Sequence, residues 1–207
     1  MPRARKSRTI GTAAKAATPH DGDPEARLIK AALDLAAQQG WRNTSLGAIA
    51  REAHLPLAEA YALHRSKASL LGAFFRNLDR TVLGGGETEG SPRERLFELL
   101  MRRFDALRPA RPALSAIARD SFADPAMLCR GPKFLSAMVW MLEAAGISPA
   151  GWRGSMRVAA LSVAYLIVFP TFLADESADL AKTMAALDRR LKAGPWRDKR
   201  NEAASAR

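Results

Sequence analysis

The feature that most constrains this fold is a succession of helix start and stop signals bracketing stretches of helical periodicity. The first begins at residues 23–25, Asp-Pro-Glu, which combine an N-cap acceptor, a proline suited to the first helical position and an acid in the first turn. Gly40 is typical of the residue just after a helix end. The apolar residues at helical spacing between these signals are Ile29, Ala32, Leu33 and Ala36. The pattern predicts an amphipathic first helix.

Two shorter helices follow, over about residues 45–53 and 56–62, with Thr44 and Ser45 as candidate caps for the first of them. His54-Leu55-Pro56 separates them, and a break this short keeps the two helices side by side. That is the geometry of a helix-turn-helix, whose second helix fits a DNA major groove. The turn puts His54 where a left-handed backbone is often needed, which histidine tolerates better than most residues other than glycine.

Further signals divide the rest of the chain into helices. Ser66 caps a fourth helix that ends at Gly84, and Ser91-Pro92-Arg93-Glu94 is a capping box that opens a fifth. Later helices are expected over about 149–173 and 177–192, and no segment alternates with period two. The sequence therefore predicts an all-α fold with about nine helices and no sheet. The predicted divisions are a flexible basic tail (1–22), a helix-turn-helix DNA-binding domain with a connecting fourth helix (23–83), a linker (84–91), a helical ligand-binding and dimerisation domain (92–192) and a second flexible tail (193–207).

The stretch from Ala26 to Asp79 resembles the DNA-binding domain of the tetracycline-repressor (TetR) family of bacterial regulators. The resemblance implies a homodimer that binds a double-stranded DNA operator and is released, as a repressor, by a small-molecule effector. Two positions depart from the family pattern. His54 stands where the family usually has a glycine, and His64 stands where it usually has an aromatic residue. The residues that carry the resemblance are Ile29, Ala32, Ala36, Gly40, Thr44-Ser45, Ile49-Ala50, Tyr61, Ser66-Lys67 and Leu70-Leu71.

The same resemblance points to DNA contacts. Thr44, Tyr61 and Lys67 are predicted to contact phosphates, to which hydroxyls and a lysine in a first helical turn are suitable donors. Thr44 as a plain N-cap and Tyr61 as a core aromatic are the alternatives. The recognition helix offers few groups that can read base edges, although an apolar side chain can contact a thymine methyl and a carboxylate can accept from a cytosine amino group. The remaining predicted DNA-binding residues are Ser45, Leu57, Ala58, Glu59 and His64, the last being also interpretable as a buried structural histidine.

No motif locates an effector site in the C-terminal half, but apolar side chains at helical spacing can line a pocket between helices. Segments 95–113 and 185–191 are also similar to a lipid-binding auxiliary protein of ubiquinone biosynthesis that shares the regulator fold. A dimeric lipid- or isoprenoid-binding protein with a vestigial helix-turn-helix is therefore the alternative function. The candidate lining residues are Phe104, Phe122, Met127, Phe134, Met138, Met141, Trp152, Met156, Tyr165 and Phe169.

Composition narrows the remaining classes. The formal net charge of +11 indicates a polyanionic partner. Cys129 is the single cysteine, which suits a cytoplasmic protein without disulfides, and no metal-ligand spacing, cofactor motif or catalytic arrangement stands out, so no enzyme is predicted. The basic N-terminus is not followed by an apolar run, which argues against a secretory signal. The uncharged run 158–174 has seventeen residues, short of a bilayer span, so a buried helix is expected rather than membrane insertion.

Overall fold

The computed structural model describes residues 22–86, 89–121 and 131–196, and all regular structure within these ranges is helical. This confirms the predicted all-α class. The described helices are α1 (Pro24–Gln39), α2 (Leu46–Glu52), α3 (Leu57–Leu63), α4 (Lys67–Leu83), α5 (Pro92–Leu107), a 3₁₀ turn (Arg108–Ala110), α6 (Arg111–Ser121), α7 (Gly131–Ala144), α8 (Gly151–Leu173) and α9 (Ala181–Lys192).

Side-chain caps explain where four of these helices begin. The Asp23 carboxylate accepts a hydrogen bond from the Glu25 backbone N–H at 3.1 Å, and the Ser45 hydroxyl accepts from Ala48 at 3.1 Å. Ser66 and Ser91 each form a reciprocal capping box. Each cap satisfies backbone donors that a helix N-terminus leaves unpaired. These caps confirm the predicted starts of α1, α2, α4 and α5.

The last helix begins later than predicted. The sequence pattern placed its start near Ser177, but α9 begins at Ala181, and Leu180 before it has a left-handed backbone with φ of 54°. Asp175 explains the difference, since its carboxylate accepts hydrogen bonds from the Thr183 N–H at 2.8 Å and the Thr183 hydroxyl at 2.7 Å. These bonds stabilise a loop over residues that helical spacing alone had assigned to α9.

Two apolar cores organise the described chain. The smaller core joins α1 to α4 and takes Ala113 and Ile117 from α6. The larger core joins α5, α7, α8 and α9 and takes Leu78 and Val82 from α4. Helix α4 therefore contributes to both cores, and α6 packs against α1 from the other half of the chain. The two halves are held together by these helices rather than by the linker alone.

The larger core extends beyond the predicted end of the C-terminal domain. Trp196 is only 2% exposed and lies in this core. The tail predicted from residue 193 thus includes a large aromatic side chain that packs into this core.

Helix α8 is longer than the uncharged run suggested. It has 23 residues with a mean hydropathy of 1.8 over its most apolar window, so its length and composition alone would allow it to cross a membrane. About one third of that window (33%) is buried inside the protein. The helix includes Arg153 and Arg157, and its inner side packs against α7 and α9.

Candidate DNA-binding site

The turn between α2 and α3 forms as the sequence predicted. His54 has a φ of 52°, in the left-handed region, and the next N–H, of Leu55, donates to the Ala50 carbonyl at 2.9 Å. Ala53 and Leu55 are buried on either side of it. This turn fixes α3 against α2, which is the arrangement that lets the second helix of a helix-turn-helix project towards DNA.

Helix α3 has one inward residue and an exposed apolar face. Ala60 is 2% exposed and packs into the smaller core, whereas Leu57 and Tyr61 are 58% and 57% exposed. Ala58 and Glu59 are exposed beside them. Leu57, Ala58 and Tyr61 form the outer face of α3, a name kept below for these three residues. Four of the predicted DNA-binding residues thus lie together at the surface on α3.

Ser45 and Thr44 differ in accessibility although they are adjacent. Ser45 is exposed at the N-terminus of α2 and its hydroxyl caps that helix. Thr44 is 1% exposed, and its hydroxyl donates to the Gly40 carbonyl at 2.8 Å. A phosphate contact from the Thr44 side chain does not fit this arrangement, because the hydroxyl is buried and holds the loop after α1.

His64 is also turned inwards. It is 6% exposed, and its Nε2 lies 2.9 Å from a carboxylate oxygen of Glu25. This contact joins the end of α3 to the first turn of α1. The expectation that His64 contacts DNA does not fit this burial, and its alternative reading as a structural histidine does.

Lys67 lies at the first position of α4 and is half-buried. Its ammonium donates to the Trp41 carbonyl at 2.5 Å and lies 4.7 Å from the centroid of the Trp41 ring. Sequence reasoning missed this contact, since nothing in the spacing of residues 41 and 67 pairs them.

A second contact that sequence reasoning missed reaches the motif from α6. The Asp120 carboxylate accepts a hydrogen bond from the Arg42 backbone N–H at 2.8 Å, across 78 positions of sequence. The loop that precedes α2 is therefore tied to the C-terminal half of the chain.

The candidate effector residues separate into three groups. Phe104, Met138, Met141 and Tyr165 are buried in the larger core, and Phe134 and Phe169 pack against it. Trp152 and Met156 are 69% and 57% exposed. They lie apart from the buried group, because helical spacing puts them on the outer side of α8. Phe122 and Met127 lie outside the described residues.

The buried members form an aromatic cluster around Tyr165. The Tyr165 ring stacks on Phe104 with centroids 5.0 Å apart and contacts the rings of Phe134 and Phe169 at 5.6 Å and 5.9 Å. Arg103, which sequence reasoning overlooked, lies beside this cluster and is 2% exposed. The signal was available, because Arg103 continues the helical spacing of the core positions Leu96, Leu99 and Leu100.

Comparisons with known proteins agree with this geometry. Residues 28–74 match a family model described as bacterial regulatory proteins, tetR family. No match was found among curated proteins. A solved TetR transcriptional regulator from Nitrosomonas europaea is 25% identical with a TM-score of 0.68, over 84% of this chain and 98% of that chain.

Two other solved structures show the same fold at lower identity. A TetR transcriptional regulator from Rhodococcus sp. RHA1 is 21% identical with a TM-score of 0.56, over 81% of this chain and 94% of that chain. A tetR-family transcriptional regulator from Streptomyces coelicolor is 21% identical with a TM-score of 0.50, over 89% of this chain and 98% of that chain.

Proposed function

This chain has the DNA-binding domain and the fold of TetR-family transcriptional regulators, and we propose that it is a dimeric repressor that leaves its operator when an apolar effector binds. DNA binding is assigned to residues 23–83, and effector binding and dimerisation to residues 92–192. Regulation of transcription by binding, without catalysis, is the proposed activity, with the cytoplasm as its compartment.

The outer face of α3 carries the proposal. Leu57 and Tyr61 are four positions apart on a seven-residue helix, so they share one face, and both are more than half exposed (58% and 57%). A major groove admits such a helix, and apolar side chains there contact thymine methyl groups. The Tyr61 hydroxyl can donate to a phosphate, and the exposed Glu59 can accept from a cytosine amino group.

Charge around the motif supports the same interpretation. Arg42, Arg51 and Arg65 are exposed near the ends of α2 and α3, and the whole chain has a net charge of +11. Basic side chains that flank a groove-reading helix supply the sequence-independent part of DNA affinity. With few base-reading groups on α3, phosphate contacts would provide most of the binding free energy.

Dimerisation is supported by the outer side of α8. Its exposed apolar residues recur at helical spacing, and Met184 of the neighbouring α9 is 41% exposed. Pairing α8 and α9 with the same helices of a second copy would bury this surface in a four-helix interface with two-fold symmetry. The exposed apolar residues on α8 are Trp152, Met156, Val163, Leu166 and Ile167.

Release by an effector needs a path between the two cores. Helix α4 contributes to both, and the bond between Asp120 and the Arg42 N–H ties α6 to the loop before α2. An effector that favours one arrangement of α4 and α6 would change the separation of the two recognition helices in a dimer. Its differential affinity for the two arrangements sets how far binding to DNA is weakened.

One observation favours the second candidate function, a lipid- or isoprenoid-binding dimer. On the exposed part of α3, only Tyr61 and Glu59 have polar side-chain atoms. A recognition helix with so few donors and acceptors is compatible with a loss of operator reading. The aromatic cluster around Tyr165 would then serve as the lining of a lipid site.

Selection of bound sequences from a random duplex library separates the two functions. At moderate salt, a regulator yields a palindromic consensus with half-sites about one helical turn apart, bound roughly 10³-fold tighter than random DNA. The double substitution Leu57→Ala with Tyr61→Ala should abolish the consensus, while Leu135→Ala, at a position 42% exposed on α7, should preserve it. Uniform, salt-dependent binding to every duplex and a co-purifying lipid would instead support the second function.

A further inference from the structure

Arg103 is a cation in an apolar core. It lies on the inward side of α5 among buried leucines and is 2% exposed. A charged side chain that is taken out of water costs free energy unless hydrogen bonds and opposite charge compensate it. The compensation present in the described residues is incomplete.

Asp79 of α4 supplies the compensating charge. Its Oδ1 lies 3.1 Å from Nη2 of Arg103, but the contact lacks hydrogen-bond geometry, since no donor satisfies Oδ1 among the described residues. Burial raises the pKa of Asp79 despite the attraction of Arg103. The attraction of Arg103 therefore does not offset the cost of burying the Asp79 carboxylate.

Within the described residues, the Arg103 guanidinium is only partly paired. Nε and Nη1 of Arg103 are buried and have no hydrogen-bond partner among the described residues. The guanidinium carbon lies 5.2 Å from the centroid of the Tyr165 ring and 5.8 Å from that of Phe75. An arginine presents its N–H groups in a planar fork that matches the two oxygens of a carboxylate. In Arg103 each such pair of N–H groups includes Nη2, which faces Asp79, so a carboxylate that binds either edge must compete with Asp79.

We propose that Arg103 is the anion-recognition residue of the effector site, and that the effector is an organic carboxylate on a planar apolar body. The apolar body packs among the rings around Tyr165, and the carboxylate accepts from one bidentate edge of Arg103, which combines Nη2 with one of the two unpartnered nitrogens. The regulatory role of this site rests on the proposed function. The binding of a carboxylate at Arg103 is inferred from the side chains and does not depend on it.

The position of Asp79 explains how such a ligand would act. Asp79 lies on α4, which also packs Leu70 into the smaller core beside the helix-turn-helix. A ligand carboxylate competes with Asp79 for the guanidinium and so weakens the ion pair between α4 and α5. Anion binding would thereby loosen the helix that connects the two cores.

Calorimetric titration of the full chain without DNA tests the site, with 2-naphthoate and its uncharged analogue 2-naphthamide as probes. We expect naphthoate to bind at least about tenfold tighter than naphthamide, because a charge-assisted pair distinguishes them. Arg103→Met should remove the difference. Arg76→Met, which deletes the same charge at an exposed position of α4, should preserve it. Asp79→Asn should raise naphthoate affinity and leave naphthamide affinity unchanged, because it removes the competing carboxylate.

Three results would overturn the assignment: equal or absent binding of the two probes, a naphthoate preference that persists in Arg103→Met, or no gain in Asp79→Asn. The Asp79→Asn arm keeps the test valid if the Arg103 variant fails to fold. Operator binding is measured separately on the same preparations. Carboxylate selectivity without any operator would reject the regulator and retain the site, whereas an operator without carboxylate selectivity would reject the site and retain the regulator.

Discussion

The ammonium of Lys67 bonds to the carbonyl of Trp41, 26 positions earlier, at 2.5 Å. Trp41 is itself 7% exposed, so a side chain in the first turn of α4 holds the loop that leads into the helix-turn-helix. An ammonium has three donors, so the internal bond does not by itself exclude a phosphate contact. The structural role of Lys67 and its proposed DNA-binding role are therefore separable by experiment.

Lys67→Ala is expected to lower both stability and the salt dependence of DNA binding. Loss of the bond to Trp41 and of the contact with its ring should cost about 1–2 kcal/mol, measured by denaturant unfolding. If Lys67 also contacts a phosphate, the salt slope falls by about one unit for specific and random duplexes alike, measured by fluorescence anisotropy. Arg65→Ala removes the same charge at an exposed position and should leave stability unchanged. A lower stability with an unaltered salt slope would restrict Lys67 to its structural role.

Glu59→Gln is expected to change specific and non-specific DNA binding in opposite directions. The exposed carboxylate repels phosphates, so its neutralisation should tighten binding to random duplexes. If Glu59 accepts from a cytosine amino group, the preference for the selected site over random DNA should fall by about 1–3 kcal/mol. Glu52→Gln, exposed at the end of α2, serves as the charge-matched control. Equal gains on both kinds of duplex would show that Glu59 does not read a base.

Leu166→Glu is expected to convert a dimer into a monomer. Leu166 is 57% exposed on the outer side of α8, where a charge would be buried without a partner in the proposed interface. Sedimentation at micromolar concentration should show the wild type at twice 22.5 kDa and the variant near 22.5 kDa. Leu135→Glu, on α7 at 42% exposure, should remain dimeric. A wild type that sediments as a monomer would contradict the proposed interface directly.

Asp175→Asn is expected to destabilise the loop between α8 and α9. Burial alone would raise the pKa of Asp175, but hydrogen bonds from Ser177 and Thr183 outweigh it and hold the pKa well below its usual range. The ionised carboxylate therefore stabilises the fold above about pH 4, the ordinary range of an aspartate, and this stabilisation is lost as the pH falls further. We expect a loss of about 1–3 kcal/mol at pH 7 in urea unfolding.

The difference in unfolding free energy between wild type and Asp175→Asn should narrow as the pH falls below 4. In that range Asp175 is protonated in the unfolded chain, which makes unfolding of the wild type more favourable. Glu176→Gln, at the exposed neighbouring position, should match the wild type throughout. A constant difference at all pH values would mean that the geometry of the hydrogen bonds, and not the ionised state of Asp175, stabilises the loop.

The sequence by itself determined the helices and the turn, because their signals act over a few residues. Caps at Asp23, Ser45, Ser66 and Ser91 satisfy donors within three positions, and the left-handed turn at His54 follows from the closeness of two helices. Such signals also predicted α3 as the second helix of the helix-turn-helix. They failed at the start of α9, where Asp175 reaches forward eight positions to Thr183.

Only the tertiary structure decided which polar side chains remain at the surface. Thr44 and His64 lie in the predicted DNA-binding stretch, yet both are buried, because contacts with Gly40 and Glu25 turn them inwards. Arg103 has the charge of a surface residue, and the packing of α4, α5 and α8 around it makes it a core residue. Local periodicity tells which residues share a helix face, whereas burial depends on which faces meet across distant parts of the chain.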